Sequence, residues 1–326
     1  MKRLAGYAKP ARRRRLLFSL ANRPSTPHHG RMAHDTFRIG DLTAVIGDNA
    51  AHEDHRPGYN GVWELRHKTG TRSLFVPSIA GLNFEHIFSG QFEDDRDVFF
   101  EPRRAPMSFR KLGEDACELH QPPTPTFHLE SWTRFNLVAP HYLDMTFRCQ
   151  PTQHVFEHGY IGLFWASYIH GPLDKSMYFV GGLQNQKRNR FWSQLCTQAH
   201  NDESTVRHRD DDVALTFDDD SREALYKNFS PMRFDLPLFY GNFEEHVWIV
   251  MFDRLEGIRL THSPSGGGAT PERKTTNPAW DFQFIIPDYD VLESYSFRVR
   301  TVFRPKCSRD DVLKEYADWK ESPSGV

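Results

Sequence analysis

An all-β fold, a large antiparallel β-sandwich with a short C-terminal helix, is what this sequence predicts, and three observations carry the prediction. Aromatic residues are plentiful, with 26 Phe, 7 Trp and 11 Tyr among 326 residues. They fall in short alternating runs, which suit a pleated surface. Gly, Pro, Asn and Asp break these runs at short intervals, as antiparallel turns require. No strand–helix–strand alternation appears, which argues against a parallel α/β sheet.

The strand patterns follow one another along the chain. Early ones are 62–66, 107–112, 116–120, 129–137 and 142–149; later ones are 161–169, 176–180, 243–252 and 258–262. Residues 277–288 and 295–303 supply the last two. Two stretches read as irregular: the polar 184–212, and the loop 263–276, which leads straight into the 277–288 strand and has the makings of a lid. After Pro305 the pattern changes. Ser308 is a good N-cap, acids fill the next turn, and residues 308–320 read as a terminal helix. The expected organisation is a basic tail over 1–32, a β-sandwich domain over 33–305 and a helical tail over 306–326.

The head of the chain holds nine Lys or Arg and no acid within residues 1–32. Its apolar run, 16–21, is shorter than a secretory signal needs. A disordered, non-catalytic tail is the expectation, with Met32 a plausible natural start. The remaining residues hold 32 basic against 43 acidic side chains, a balance of −11. An acidic body argues against nucleic acid as a ligand. No apolar run approaches the roughly 20 residues of a membrane span. Four widely spaced cysteines form neither a zinc signature nor a disulfide scaffold, so a reducing, cytoplasmic setting is expected. The sequence holds neither a P-loop nor a nucleophile elbow.

The 277–288 strand is the most informative stretch. Asp281 and Gln283 are two apart and share one face of a strand, whereas Trp280, Phe282 and Phe284 share the other. A polar pair on an aromatic strand suits a pocket that grips a hydroxylated ligand and moves a proton; the alternative is an edge strand with a solvated face. Proton transfer across a sugar ring needs an acid and a base, and a carboxylate with a histidine brackets neutrality. Asp281 is the expected base and His170 the expected acid, with Tyr168 on the face of His170. Glu85 and His86 form a Gly-flanked polar dipeptide that suits a pocket mouth. Arg103 and Arg104 offer guanidinium groups for a hydroxyl or a carboxylate. Trp165 and Trp280 are candidate sugar-stacking platforms, with core packing as their alternative role. His120, His128 and Glu130 lie near strand ends, but their spacing shows no convergence on a metal.

Three segments together resemble a known family. The run Glu130-Ser-Trp-Thr-Arg-Phe-Asn-Leu137, then Tyr142-Leu-Asp-Met-Thr-Phe147, then Gly162-Leu-Phe-Trp-Ala-Ser-Tyr-Ile-His170 is similar to consecutive strands of the aldose 1-epimerase (galactose mutarotase-like) superfamily. Asp281-Phe-Gln283 followed by the Tyr295–Phe303 strand sits where that family has a catalytic Glu, often with Gln close by, and a final aromatic strand. The resemblance spans roughly residues 36–305. Two departures stand out: the family's His lies in an Asn-His-x-Tyr-Phe-Asn context, here Trp165-Ala-Ser-Tyr-Ile-His170, and its Glu is here an Asp. The resemblance implies a mutarotase-like supersandwich and a cofactor-free sugar mutarotase or epimerase with a carbohydrate ligand. The alternatives are a glycoside hydrolase, pairing Asp281 with Glu85, Glu101 or Glu130, a polysaccharide lyase using Arg103 or Arg104 against a uronate with Tyr168 or His170 abstracting the proton, and a non-catalytic carbohydrate-binding module. The oligomeric state is not legible.

Overall fold

The computed structural model describes residues 32–92, 95–186, 191–199, 202–219 and 224–322. The expected disordered tail falls, but for Met32, outside the described residues. Among them the chain forms 17 strands and four helices. The first half holds β1 (His34–Ile39), β2 (Leu42–Gly47), β3 (Gly61–His67), β4 (Asn83–Phe88), α1 (Arg96–Phe99), α2 (Glu101–Arg104), β5 (Ser108–Lys111), β6 (Ala116–Gln121), β7 (Leu129–Val138) and β8 (Tyr142–Pro151). The second holds β9 (Ile161–Ala166), β10 (Met177–Leu183), β11 (Trp192–Leu195), β12 (Thr205–His208), α3 (Ala224–Lys227), β13 (Phe229–Phe243), β14 (His246–Phe252), β15 (Ile258–Ser263), β16 (Ala279–Ile286), β17 (Tyr295–Pro305) and α4 (Arg309–Glu321).

Strands β1–β3 form a small antiparallel sheet. The other 14 form one sheet with neighbours in the order β4-β9-β16-β15-β12-β13-β14-β17-β8-β7-β6-β5, and β10 and β11 branch from β13. The β12–β13 pair is parallel. The sheet folds back so that strands far apart in this order pack face to face. Trp165 of β9 lies 4.7 Å from Phe147 of β8 and 5.0 Å from Phe297 of β17, ring centre to ring centre. This is the all-β sandwich the aromatic alternation predicts. Among the described residues, no helix is long and apolar enough to cross a membrane.

One consequence of the layering corrects an expectation. Every residue of β4, β9, β15 and β16 is buried. Strand β16 is interior, hydrogen-bonded to β9 on one side and β15 on the other, so it has no solvated face. The aromatic face joins the main core. A second, smaller cluster covers the opposite face, where Tyr226 of α3 stacks on Phe88 at 3.8 Å and Leu215 and Phe217 pack alongside.

Residues 184–212 are not wholly irregular, because they contain all of β11 and β12. Strand β12 escapes a hydrophobicity reading because it is four residues long with a single apolar side chain, Val206. The 263–276 loop is a closed excursion: Ala269 bridges Thr276, Asn277 N–H donates to the Gly268 carbonyl at 2.8 Å, and the Thr276 hydroxyl donates to the Pro264 carbonyl at 2.7 Å.

Helix α4 starts as expected. The Ser308 side chain accepts from Asp311 N–H at 3.1 Å, and Asp311 Oδ2 accepts from Ser308 N–H at 3.0 Å, a capping box. Val312 and Trp319 are buried against an apolar patch that includes Val247, Ile249 and Val302, each worth about 1.5–3 kcal/mol of transfer free energy. Glu315 ties the helix to the sheet through Arg304 and the Tyr142 hydroxyl, the latter at 3.0 Å.

That tie carries a pH signature. Burial opposes ionisation of Glu315, but hydrogen bonds from His141, Arg304 and Tyr142 outweigh it and lower its pKa from 4.5 to about 2. A depressed carboxylate contributes stability above its ordinary value and loses it as pH falls through the folded one. We expect Glu315→Gln to cost about 1–3 kcal/mol at pH 7, measured by thermal or urea unfolding, with the gap closing between pH 4.5 and about 2. A gap independent of pH would contradict the charged tie.

Candidate active site

The site is built on the face of β4, β9 and β16 that looks away from the main core. Register assigns the faces. Phe282 pairs with Trp165 and Trp165 with Phe84, on the core side; Gln283 pairs with Phe164 and Phe164 with His86, on the other. In β4 the register shifts between Phe84 and His86, leaving Glu85 as an extra residue. Such a β-bulge lets two successive side chains point the same way, and Glu85 and His86 both do. The side chain of Asn60 stands in as a strand partner for the distorted backbone: its Nδ2 donates to the Phe84 carbonyl at 2.8 Å and its Oδ1 accepts from Phe84 N–H at 3.0 Å.

Glu85 is 6% exposed and surrounded by donors. Its Oε2 accepts from Asn83 Nδ2 at 2.8 Å and from the Tyr168 hydroxyl. His86 Nε2 is 3.1 Å from Oε1, and Arg103 Nη1 is 3.7 Å from Oε2. His86 is fixed from behind, donating Nδ1–H to the Phe99 carbonyl at 2.7 Å. Arg103 donates from Nε to the Gly58 carbonyl at 2.8 Å, and its guanidinium lies over the Tyr59 ring at 3.9 Å. Arg103 and Tyr59 are half-buried, so the cluster approaches solvent on their side.

The electrostatics divide the two carboxyl groups. Burial is the largest influence on Glu85 and would raise its pKa; His86, Arg103 and Tyr168 outweigh it and hold it below the ordinary range. Asp281 is also buried, but its Oδ1 has one donor, Ser167 N–H at 2.9 Å. Burial, with the charge of Glu85 added, pushes its pKa well above the usual value. Tyr168 is pushed well above its own value, first by burial and then by Glu85. The two carboxyl groups are thus displaced in opposite directions, Glu85 downward and Asp281 upward, a pattern associated with acid and base roles.

The structure brings together Asp281, Glu85, His86, Tyr168 and Arg103 of the expected site residues, and not the rest. His170 is not the partner of Asp281. Its carbonyl accepts from Arg72 Nη1 at 2.6 Å and its ring is influenced by burial, Arg72 and Glu244, whereas Asp281 accepts from Ser167 N–H. The reason is local: β9 ends at Ala166, Tyr168 turns inward to Glu85, and His170 follows the backbone to Leu74. Arg104 points outward to Asp97 at 3.3 Å. Trp165 and Trp280 are 0% exposed and are core residues, not sugar platforms; Trp165 stacks on Phe282 at 5.2 Å, and Trp280 Nε1 donates to the Lys175 carbonyl at 2.8 Å. Gln283 is buried beside Asp281 on the same face, with Nε2 donating to Thr261 at 2.8 Å and Thr205 at 3.2 Å, so it braces neighbouring strands. His120 pairs with Glu130 at 2.8 Å, whereas His128 sits in a turn. Tyr59, Asn60 and Asn83 are site residues the sequence reading misses.

No family model matches the chain, and no curated protein sequence matches it. Solved structures do. The chain is similar to a provisionally assigned aldose 1-epimerase from Escherichia coli K12, with a TM-score of 0.48 and 11% identity, covering 84% of this chain and 99% of that one. It is similar to a galactose mutarotase related enzyme from Lactobacillus acidophilus, with a TM-score of 0.46 and 9% identity, covering 83% of this chain and 97% of that one. A heparan sulfate lyase from Pedobacter heparinus gives a TM-score of 0.44 and 11% identity over 85% of this chain but 36% of the lyase.

A raised carboxyl has a stability consequence of opposite sign to that of Glu315. The contribution of Asp281 is fully present below its unfolded value and is lost as pH rises through the folded one. Asp281→Asn keeps an oxygen for Ser167 N–H and removes the ionisable proton. We expect the melting temperature of this variant relative to wild type to climb as pH rises above about 3.8, so that its advantage is larger at pH 8.5 than at pH 5. Equal destabilisation at both pH values would show that Asp281 is buried as an anion.

Proposed function

We propose that this chain is a carbohydrate-active, cofactor-free enzyme of the mutarotase or epimerase kind, with Glu85 as base and Asp281 as acid. The observation that carries the reading is the opposite displacement of two carboxyl pKa values on one sheet face. Sugar as substrate follows the resemblance in the strand sequence and agrees with the names of the similar structures. In this reaction a base removes the proton of an anomeric hydroxyl while an acid protonates the ring oxygen. The bond between the ring oxygen and the anomeric carbon breaks as the anomeric oxygen becomes an aldehyde carbonyl, and the ring hydroxyl then adds back to either face of that carbonyl. Glu85 is ionised to accept, and Asp281 holds a proton to give. Tyr168, donating to Glu85, positions the base; Arg103 offsets its charge.

Other readings are less well supported. A lyase drawing on Tyr168 as base meets a phenol whose proton is held well above its ordinary value. For a hydrolase, Glu101 is already committed to Thr126 and Phe127 N–H and Glu130 to His120, which leaves it only the Asp281–Glu85 pair of the reading above. A binding module built on Trp165 and Trp280 meets rings with no exposure.

The test is anomer interconversion across a sugar panel, followed by NMR or polarimetry. We expect Glu85→Gln and Asp281→Asn each to lower kcat by about 10²–10⁴-fold, the usual range for one acid or base, and His170→Gln to leave it unchanged. The rate should be flat around neutrality, falling in acid as Glu85 gains its proton and in alkali as Asp281 loses its own. Full activity of the Asp281→Asn protein would overturn the assignment.

A further inference from the structure

Beyond Gln283 the same sheet face carries three arginines on three adjacent strands. Arg207 of β12 stands opposite Arg259 of β15 on one side and Arg233 of β13 on the other. Directly opposed side chains begin about 4.5–5.5 Å apart, and like charges so placed repel. Arg259 is 0% and Arg233 4% exposed. Asp211 bonds to one of them: Arg259 donates from Nε at 2.8 Å and from Nη2 at 3.2 Å. Arg233 donates from Nη1 to the Ser230 and Met232 carbonyls at 3.0 and 3.2 Å and from Nη2 to Gln184 at 3.1 Å. Arg207 lies over the Phe229 ring at 4.3 Å.

Among the described residues, three buried N–H groups of this cluster have no acceptor: Arg207 Nε, Arg233 Nε and Arg259 Nη1. An unmet buried donor is costly, and more so on a cation. Three guanidinium groups against the bonded Asp211 and the exposed Asp212 form a site short of negative charge. Burial and the neighbouring guanidinium groups both act to lower the pKa values of Arg207 and Arg233, as that shortage requires.

We propose that Arg207, Arg233 and Arg259 bind an oxyanion, the phosphoryl, sulfate or carboxylate group of the substrate. Guanidinium groups suit such ligands because their N–H donors match the oxygens. The placement rests on the acid/base reading above. Arg259 pairs with Gln283, which is two residues from Asp281 on β16, so with a strand spacing of about 4.8 Å and a rise of about 6.6 Å the backbones of Arg259 and Asp281 stand about 8 Å apart, with Arg207 one strand further. Over that distance an anionic substituent of a sugar can meet the arginines while the reacting end of the ring lies toward Asp281. Half-buried Arg207 is the most open of the three.

The test is calorimetric titration of the full chain with inorganic phosphate, glucose 6-phosphate, glucuronate and glucose. We expect saturable binding of inorganic phosphate and of at least one charged sugar, and weaker binding of glucose. Arg207→Gln should weaken charged ligands by about tenfold or more, the effect of losing one charge-assisted partner. Arg207→Lys should weaken them less. Preference for glucose 6-phosphate assigns a phosphoryl group, and preference for glucuronate a carboxylate. Glu85→Gln should still bind phosphate, so full turnover by that variant alongside retained binding would sink the acid/base reading alone. Absence of wild-type binding at millimolar phosphate and charged sugar, or full binding by Arg207→Gln, would overturn the oxyanion site.

Discussion

A carboxylate buried on the second face of a sheet is the constraint on which this site depends. Glu85 reaches that face beside His86 because β4 carries one extra residue, and the extra residue is tolerated because Asn60 supplies the backbone partner that the bulge removes. A buried carboxylate without donors would take up a proton. Here His86, Arg103 and Tyr168 outweigh burial and lower its pKa, and Asn83 donates to it as well. Its charge then acts on its neighbours. After burial, it is a further cause that raises the pKa of both Tyr168 and Asp281.

The sandwich makes this possible by burying the sheet on both sides. Aromatic rings from β4, β9, β16 and β17 fill one face, and that core fixes the strands rigidly enough to position polar groups on the other. The second face is covered in turn by residues 215–217 and α3. Beneath that cover lies a polar belt running from His86 and Glu85 through Asp281 and Gln283 to three arginines. Polar groups at low dielectric interact strongly, favourably when partnered and at cost when not. Glu85 belongs to the first case. The arginine cluster, with donors left over, belongs to the second.

Much of the fold is legible in the sequence because one face of nearly every strand is apolar. Trp280, Phe282 and Phe284 alternate with Asp281 and Gln283, and the structure keeps that division. The N-cap at Ser308 is legible for the same reason: its chemistry is local. Strand β12 is hidden, since a short polar strand between two others looks like a loop until its neighbours are known. In the site, Asp281, Glu85, His86, Tyr168 and Arg103 stand out as polar residues in apolar surroundings. Their grouping does not, because a bulge shifts the alternation that would assign Glu85 to a face. His170 misleads because the strand ends four residues before it, after which period-two reasoning no longer applies.

The central claim is that two neighbouring carboxyl groups hold opposite protonation states in the folded protein. Infrared difference spectra between wild type and the Asp281→Asn and Glu85→Gln proteins, taken at neutral pH, read those states directly. The expected result is loss of a protonated carboxyl band on replacing Asp281 and loss of a carboxylate band on replacing Glu85. A carboxylate band lost with Asp281, or a protonated band lost with Glu85, would contradict the acid and base assignments.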